Sequence, residues 1–135
     1  MLKRILSTNV NEFIDLHLSV LLLRVSAGAL IFTHGLPKLI KVFSGDFSFG
    51  DPIGLGPELS LILSAFAEGI CGLLLVFGVG TRLVSIVLII NMSTAFFFAH
   101  AADPFATKEK ALLFLLLFVI LLFTGGGKYS VDKKL

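Results

Sequence analysis

One cysteine, Cys71, stands among 135 residues. Its isolation excludes an internal disulfide and any zinc site built from paired cysteines, so the fold must be held by packing. Charge is equally scarce. Only 15% of residues are Asp, Glu, Lys or Arg, the 11 basic residues are scattered rather than gathered into a block, and the formal net charge is +2. That distribution offers no electrostatic footprint for nucleic acid, which is excluded as a partner. Metal-ligand, phosphate-loop and nucleophile–base motifs are also missing, so no metal site is expected and no catalytic residue can be named.

What the chain has in abundance is apolar surface: 56% of its residues are hydrophobic and 14 are Phe. A soluble domain of this length has too little interior to hide so much, whereas a lipid bilayer provides one. A helix needs about 20 mostly apolar residues to cross roughly 30 Å of hydrocarbon. Four such runs occur, over about 18–40, 59–79, 83–99 and 108–123. Helices are expected because an open sheet would leave backbone groups unpaired in lipid. The fold class is therefore all-α, a transmembrane four-helix bundle forming one domain over residues 1–135.

The breaks between the runs support these boundaries. Ser44 to Pro57 is rich in Gly, Asp and Pro, and Pro57 suits the first turn of the second helix. Gly78, Gly80 and Thr81 form a tight hairpin, Asp103 and Pro104 end the third run, and Gly125 to Gly127 end the fourth. The fourth run is the shortest, with an uninterrupted apolar part only from Ala111 to Phe123. Lys3 and Arg4 invite a signal-peptide reading, but Ser7, Thr8, Asn9, Asn11, Glu12 and Asp15 interrupt the apolar core that should follow. Met1 to Leu16 is expected to be a retained interfacial segment. An even number of spans puts both termini on one side. Lys3, Arg4, Arg82, Lys128, Lys133 and Lys134 fall there, against Lys38, Lys41, Lys108 and Lys110 opposite. The positive-inside rule then places both termini in the cytoplasm.

Ionisable side chains at membrane depth usually pair, face the bundle interior or line a functional path. On a helical wheel Arg24, Gly28, Ile31, His34, Gly35 and Lys38 share one face of the first run, where small residues allow close helix packing. Glu68 lies on the second run among Ser64, Ala65, Cys71 and Gly72. At about 1.5 Å per residue, Arg24, Glu68 and Asn91 come to roughly 10, 16 and 13 Å from the terminal side. An Arg24–Glu68 ion pair with Asn91 beside it is thus expected, serving either helix register or a ligand. His34 and His100 come to roughly 25 Å, beside Lys38 and Asp103, where they serve either as interfacial residues hydrogen-bonded to water or backbone or as the walls of one shared pocket. Asn91 and His100 are half a turn apart on an ideal helix, so both serve one site only if the helix ends before His100. Cys71 is expected to be a packing residue.

Several of these residues occur in an order that resembles the DoxX family of small bacterial membrane proteins. The stretch Leu23-Arg24-Val25 through Thr33-His34-Gly35-Leu36-Pro37-Lys38-Leu39 is similar to its opening signature. Ala67-Glu68, Gly72, Leu73 to Leu75 and Gly78 to Arg82 follow, then His100, Lys110 and the closing Gly125 to Asp132 with its Tyr-Ser-x-Asp sequence. The resemblance implies a multi-pass protein of the bacterial cytoplasmic (inner) membrane, a subunit of or partner in quinone-linked redox chemistry involving thiosulfate, thiols or oxidative stress. It leaves open whether the chain itself is an oxidoreductase. Arg24, His34, Lys38, Glu68, Asn91 and His100 form the candidate cofactor-binding set. A quinone fits such a set, and bis-histidine haem ligation is the weaker alternative. Besides the lipid bilayer, a protein partner or a homo-oligomer is compatible with the small-residue faces. Two competing readings remain: a structural membrane anchor for a partner enzyme, and a small-solute or proton transporter.

Overall fold

The computed structural model describes residues 2–6 and 13–135. Among these, every regular element is helical: α1 (Leu2–Ile5), α2 (Phe13–Ser44), α3 (Pro57–Phe77), α4 (Thr81–Ala99), α5 (Phe105–Thr124) and a closing 3-10 turn (Val131–Lys134). The chain is thus an all-α bundle of four long helices. Part of the expected interfacial segment, Met1 to Leu16, lies outside the described residues. By length and composition, Leu16–Ser44, Pro57–Phe77 and Thr81–Ala99 are each apolar enough to cross a membrane. Helix α5 opens with Lys108, Glu109 and Lys110, so its continuous apolar part is shorter.

Turn chemistry sets the ends. Pro57, whose missing N–H costs nothing in a first turn, starts α3, with Glu58 next to it at the positive end of the helix dipole. Gly78 ends α3 in the left-handed region (φ 73°), with Val79 N donating to the Leu74 carbonyl and Gly78 N to that of Leu75. Gly80, also left-handed (φ 60°), then turns the chain directly into α4. The hairpin is as tight as the sequence implies.

Helices α2 and α3 run antiparallel with their backbones nearly in contact. A Cβ on Gly28 would lie 2.9 Å from the Gly72 carbonyl oxygen and from the Val76 nitrogen, and a Cβ on Gly35 would collide with the backbone of Glu68 and Gly69. The small residues of α2 therefore serve packing within the chain. The core around this contact contains Ile31, Cys71, Leu75, Leu88, Phe118 and Leu121, so Cys71 packs as expected. Outward, the bundle presents Leu22, Leu30, Leu83, Ile90, Phe97, Phe98 and Phe123, all more than half exposed. Inside it are Arg24, Ser64, Glu68, Thr81 and Ser85. An apolar exterior around a partly polar interior is the arrangement lipid demands.

Gly35→Ala should lower the melting temperature in detergent by several degrees, equivalent to about 1–3 kcal/mol of overpacking. Gly50→Ala, where nothing lies within 4 Å, should leave it unchanged. Equal melting temperatures for both variants would mean that the α2–α3 contact is looser than described.

Candidate functional site

The polar interior divides into two layers, set by Arg24 and Lys38. These residues are 14 positions apart on α2, about 21 Å along the axis.

The layer around Glu68 lies deep in the bundle. Glu68 is 5% exposed and sits in a π-helical turn, Phe66–Cys71, within α3. Such turns insert an extra residue, shift the helix face, and often occur at functional positions. Lys38 Nζ donates to Glu68 Oε2 at 2.6 Å and to the Ser64 hydroxyl at 2.9 Å, while Asn91 Nδ2 donates to Glu68 Oε1 at 2.9 Å. Both carboxylate oxygens are therefore engaged, from two different helices. The Lys38 side chain is 24% exposed against 6% for Glu68, so the ammonium forms the outward edge of the cluster. Phe49, from the loop between α2 and α3, has its ring centroid 5.6 Å from Lys38 Nζ.

His34, one turn before Lys38, is exposed on α2 and meets the Phe114 ring of α5 edge-on, with centroids 6.2 Å apart. The charges of Lys110, Glu68 and Lys38 reach its ring. Helix α4 ends at Ala99, so His100 leaves the helical wheel that would have turned it half a revolution away from Asn91. There it bonds through Nδ1 to Asp103 Oδ2 at 2.7 Å in an exposed pair. The structure thus brings Lys38, Glu68 and Asn91 together, places His34 within electrostatic reach, and binds His100 to Asp103. Ser64 completes the cluster. Its spacing from Glu68, one turn on the same face, was the available signal for it.

Arg24 is absent from this cluster, and the expected Arg24–Glu68 ion pair does not form. Arg24 is 1% exposed. Its Nη1 donates to the carbonyls of Leu75 at 3.1 Å and Val76 at 2.6 Å, and its Nη2 to that of Tyr129 at 2.8 Å. The reason is directional: a helical side chain leans toward the N-terminus of its own helix. In antiparallel α2 and α3, Arg24 therefore leans toward the end carrying the C-terminal tail and Glu68 leans away from it. The same lean brings Lys38 down to the level of Glu68.

Around Arg24 the C-terminal tail is tied to the hairpin. Asp132 accepts from Gly80 N at 2.6 Å and Thr81 N at 2.8 Å, capping α4 from a distance of about fifty residues in sequence, and its own N–H donates to the Gly78 carbonyl at 3.0 Å. Lys128 N donates to His17 Nδ1 at 2.8 Å, closing the tail onto α2. Burial pushes the Asp132 carboxyl up, but hydrogen bonding from Thr81 and Gly80 and the Arg24 charge outweigh it. The carboxyl is held below its ordinary value.

This arrangement defines a small helical membrane protein with one tail-locked polar layer and one carboxylate-centred layer. A family model, DoxX, matches residues 19–101, which span α2 to α4. The chain belongs to the DoxX family. It is 31% identical over 123 residues to an uncharacterized protein of Haemophilus influenzae, covering 83% of this chain and 87% of that one. It is 32% identical over 116 residues to a Bacillus subtilis protein named "Putative oxidoreductase CatD", covering 85% of each. No solved structure matches it.

Lys38→Met should destabilise more than the double change Lys38→Met with Glu68→Gln, because the single change leaves a buried carboxylate without its cation. A fully buried case costs about 3–5 kcal/mol, and the partly exposed ammonium lowers that figure here. A melting-temperature cycle in detergent checks it: additive losses would show the pair to be uncoupled. The Asp132 tie should respond to acid. Since the folded carboxyl titrates below its unfolded value of about 3.9, its contribution is complete above that pH and disappears as pH falls through the folded value. Melting followed from pH 7 to 3 should show a steeper acid decline for the wild type than for Asp132→Asn.

Proposed function

We propose that the chain acts in the bacterial inner membrane as a partner subunit in quinone-linked redox chemistry, with the layer around Glu68 as its headgroup site. The observation that carries this reading is a carboxylate, an ammonium and an amide hydrogen-bonded together inside an apolar bundle, with the ammonium at the open edge. A quinone has an apolar tail suited to the helix surfaces and two carbonyl oxygens that need donors. Lys38 and Asn91 are donors of that kind, and Glu68 is an acceptor for a quinol hydroxyl. His34, beside Phe114 at the same level, is the group suited to passing a proton to or from the site. Reduction of a quinone takes up two electrons and two protons. The electrons enter from a redox partner, and the protons pass through these side chains. Arg24 has a structural role in this reading, because its hydrogen bonds go to carbonyls of α3 and the tail. The Bacillus subtilis relative's name agrees with an oxidoreductase setting.

The reading takes α5 as a fourth span, with Lys108 and Lys110 snorkelling to the membrane surface from its first turns. Both termini then share the cytoplasmic side. The Arg24 guanidinium reaches toward that side too, which adds to its positive excess.

Protein reconstituted in lipid nanodiscs should bind a short-tailed quinone analogue. Glu68→Gln should weaken binding roughly tenfold, about 1.4 kcal/mol, with little change in melting temperature. Wild-type protein that neither binds the analogue nor co-purifies with quinone would reject the proposal. If Glu68→Gln lowers folded yield while quinone binding by the remaining folded protein stays unchanged, the cluster is an assembly device and the anchor reading takes its place.

A further inference from the structure

A file of polar side chains runs along the buried face of α3. Ser60, Ser64 and Glu68 are spaced four residues apart, so each lies one turn beyond the last on the same side of the helix. All three are buried, at 8%, 8% and 5% exposure. The file starts at the surface. Asp51, exposed in the loop between α2 and α3, accepts from the Ser60 hydroxyl at 3.4 Å and from Gly56 N at 3.1 Å. Farther in, the Ser64 hydroxyl accepts from Lys38 Nζ, and Lys38 donates in turn to Glu68. From Ser60 to Glu68 the file descends about 12 Å.

The hydroxyls of this file are bonded differently from others in the bundle. Thr33, Ser85 and Thr94 donate to carbonyls of their own helices, those of Leu30, Thr81 and Ile90, which is the ordinary way to hide a hydroxyl in lipid. Ser60 and Ser64 are bonded instead to ionisable side chains, a carboxylate at one end and an ammonium at the other. One helical turn separates them, about 6 Å, a gap that a single water molecule bridges. Past Glu68 the interior changes character. Ile31, Cys71, Leu75, Leu88, Phe118 and Leu121 fill the bundle between Glu68 and the Arg24 layer, and Gly28 and Gly72 let the backbones of α2 and α3 press together there. Beyond them Arg24 is tied to carbonyls of α3 and of Tyr129, and the tail closes that end.

We propose that this file is a one-sided aqueous path. Through Ser64, Ser60 and Asp51, Glu68 exchanges protons with water at the end of the bundle that carries the α2–α3 loop, and it is sealed from the end that carries the tail. The groups that face Glu68 are Lys38 and His34 from α2 and Asn91 from α4, while Lys110 of α5 acts on it through His34. Ser60 and Ser64 act on the site through Glu68, as positioning residues for its proton. The inference concerns the site described above but holds whether or not a quinone occupies it. In the orientation given above, the loop end faces outward, and protons released at Glu68 leave on that side.

The test uses the full chain in sealed liposomes of one orientation, established by protease access to the C-terminal tail. A membrane-impermeant thiol reagent, trimethylammonium-ethyl methanethiosulfonate, is added from either side, and labelling is read by intact mass. Ser60→Cys and Ser64→Cys should react several-fold faster from the loop side than from the tail side. Cys71 of the wild type, three positions past Glu68, and Ala27→Cys should react from neither. Proton exchange itself is read with dicyclohexylcarbodiimide, which enters from the lipid and modifies a protonated carboxyl. Its rate at Glu68, taken against Glu68→Gln, should change several-fold with loop-side pH and stay constant when only tail-side pH is varied. Ser64→Leu, which fills the file, should abolish that response, and Ser64→Thr, which keeps the hydroxyl, should preserve it. Should Ser64→Leu fold poorly, Ser60→Leu blocks the same file nearer the surface. Labelling of Ser64→Cys equally from both sides, from the tail side or from neither overturns the proposal, as does a Glu68 rate that follows tail-side pH or ignores pH on both sides. One-sided access without quinone binding removes the quinone reading and leaves this inference standing; quinone binding with two-sided access does the reverse.

Discussion

An ionisable side chain surrounded by apolar helices must find a counter-charge or a set of hydrogen bonds, because leaving it bare costs several kcal/mol. This chain meets the requirement at two levels along the α2–α3 contact. Glu68 is answered by Lys38 and Asn91, and Arg24 by three backbone carbonyls. The antiparallel arrangement of α2 and α3 governs both. It sends long side chains on the two helices in opposite directions, and the glycines at 28, 35 and 72 bring the backbones close enough for those side chains to reach across. The two layers are thus consequences of one packing geometry.

The layers differ in what surrounds them. Arg24 is enclosed by the tail, whose residues Tyr129 and Asp132 reach back to α2, α3 and α4, so the C-terminal segment acts as a plug. The Glu68 layer remains partly open at Lys38 and is flanked by His34 and Phe49. A closed layer secures the bundle, and an open one is accessible from outside it. This contrast makes the second layer the better candidate for chemistry. The family match covers the three helices that build the Glu68 layer, and the tail that completes the Arg24 layer lies beyond it.

Much of this was legible in the residues. Runs of apolar side chains between Gly and Pro breaks located the helices, and the hairpin at Gly78 to Thr81 emerged where its glycines predicted. The wheel placing Arg24, Gly28, Gly35 and Lys38 on one face of α2 identified the face that packs on α3, while His34, which it put on the same face, is exposed and meets Phe114 of α5. Counting depth in steps of 1.5 Å was a poorer guide. It put Arg24 and Glu68 about 6 Å apart in height, close enough to pair, because it took account of Cα positions and not of the direction in which each side chain leans. The π-helical turn that carries Glu68 and the tail that supplies Tyr129 and Asp132 left no trace in hydropathy.

By itself the sequence determined that the chain forms apolar helices of membrane-crossing length with a few titratable groups inside. Hydropathy, length and turn residues are local properties that need no knowledge of neighbours. Only the tertiary structure decided which of those groups meet. Partnership depends on the register of antiparallel helices, on side-chain lean and on a tail returning from the far end of the chain, and each of these is a relation between segments distant in sequence.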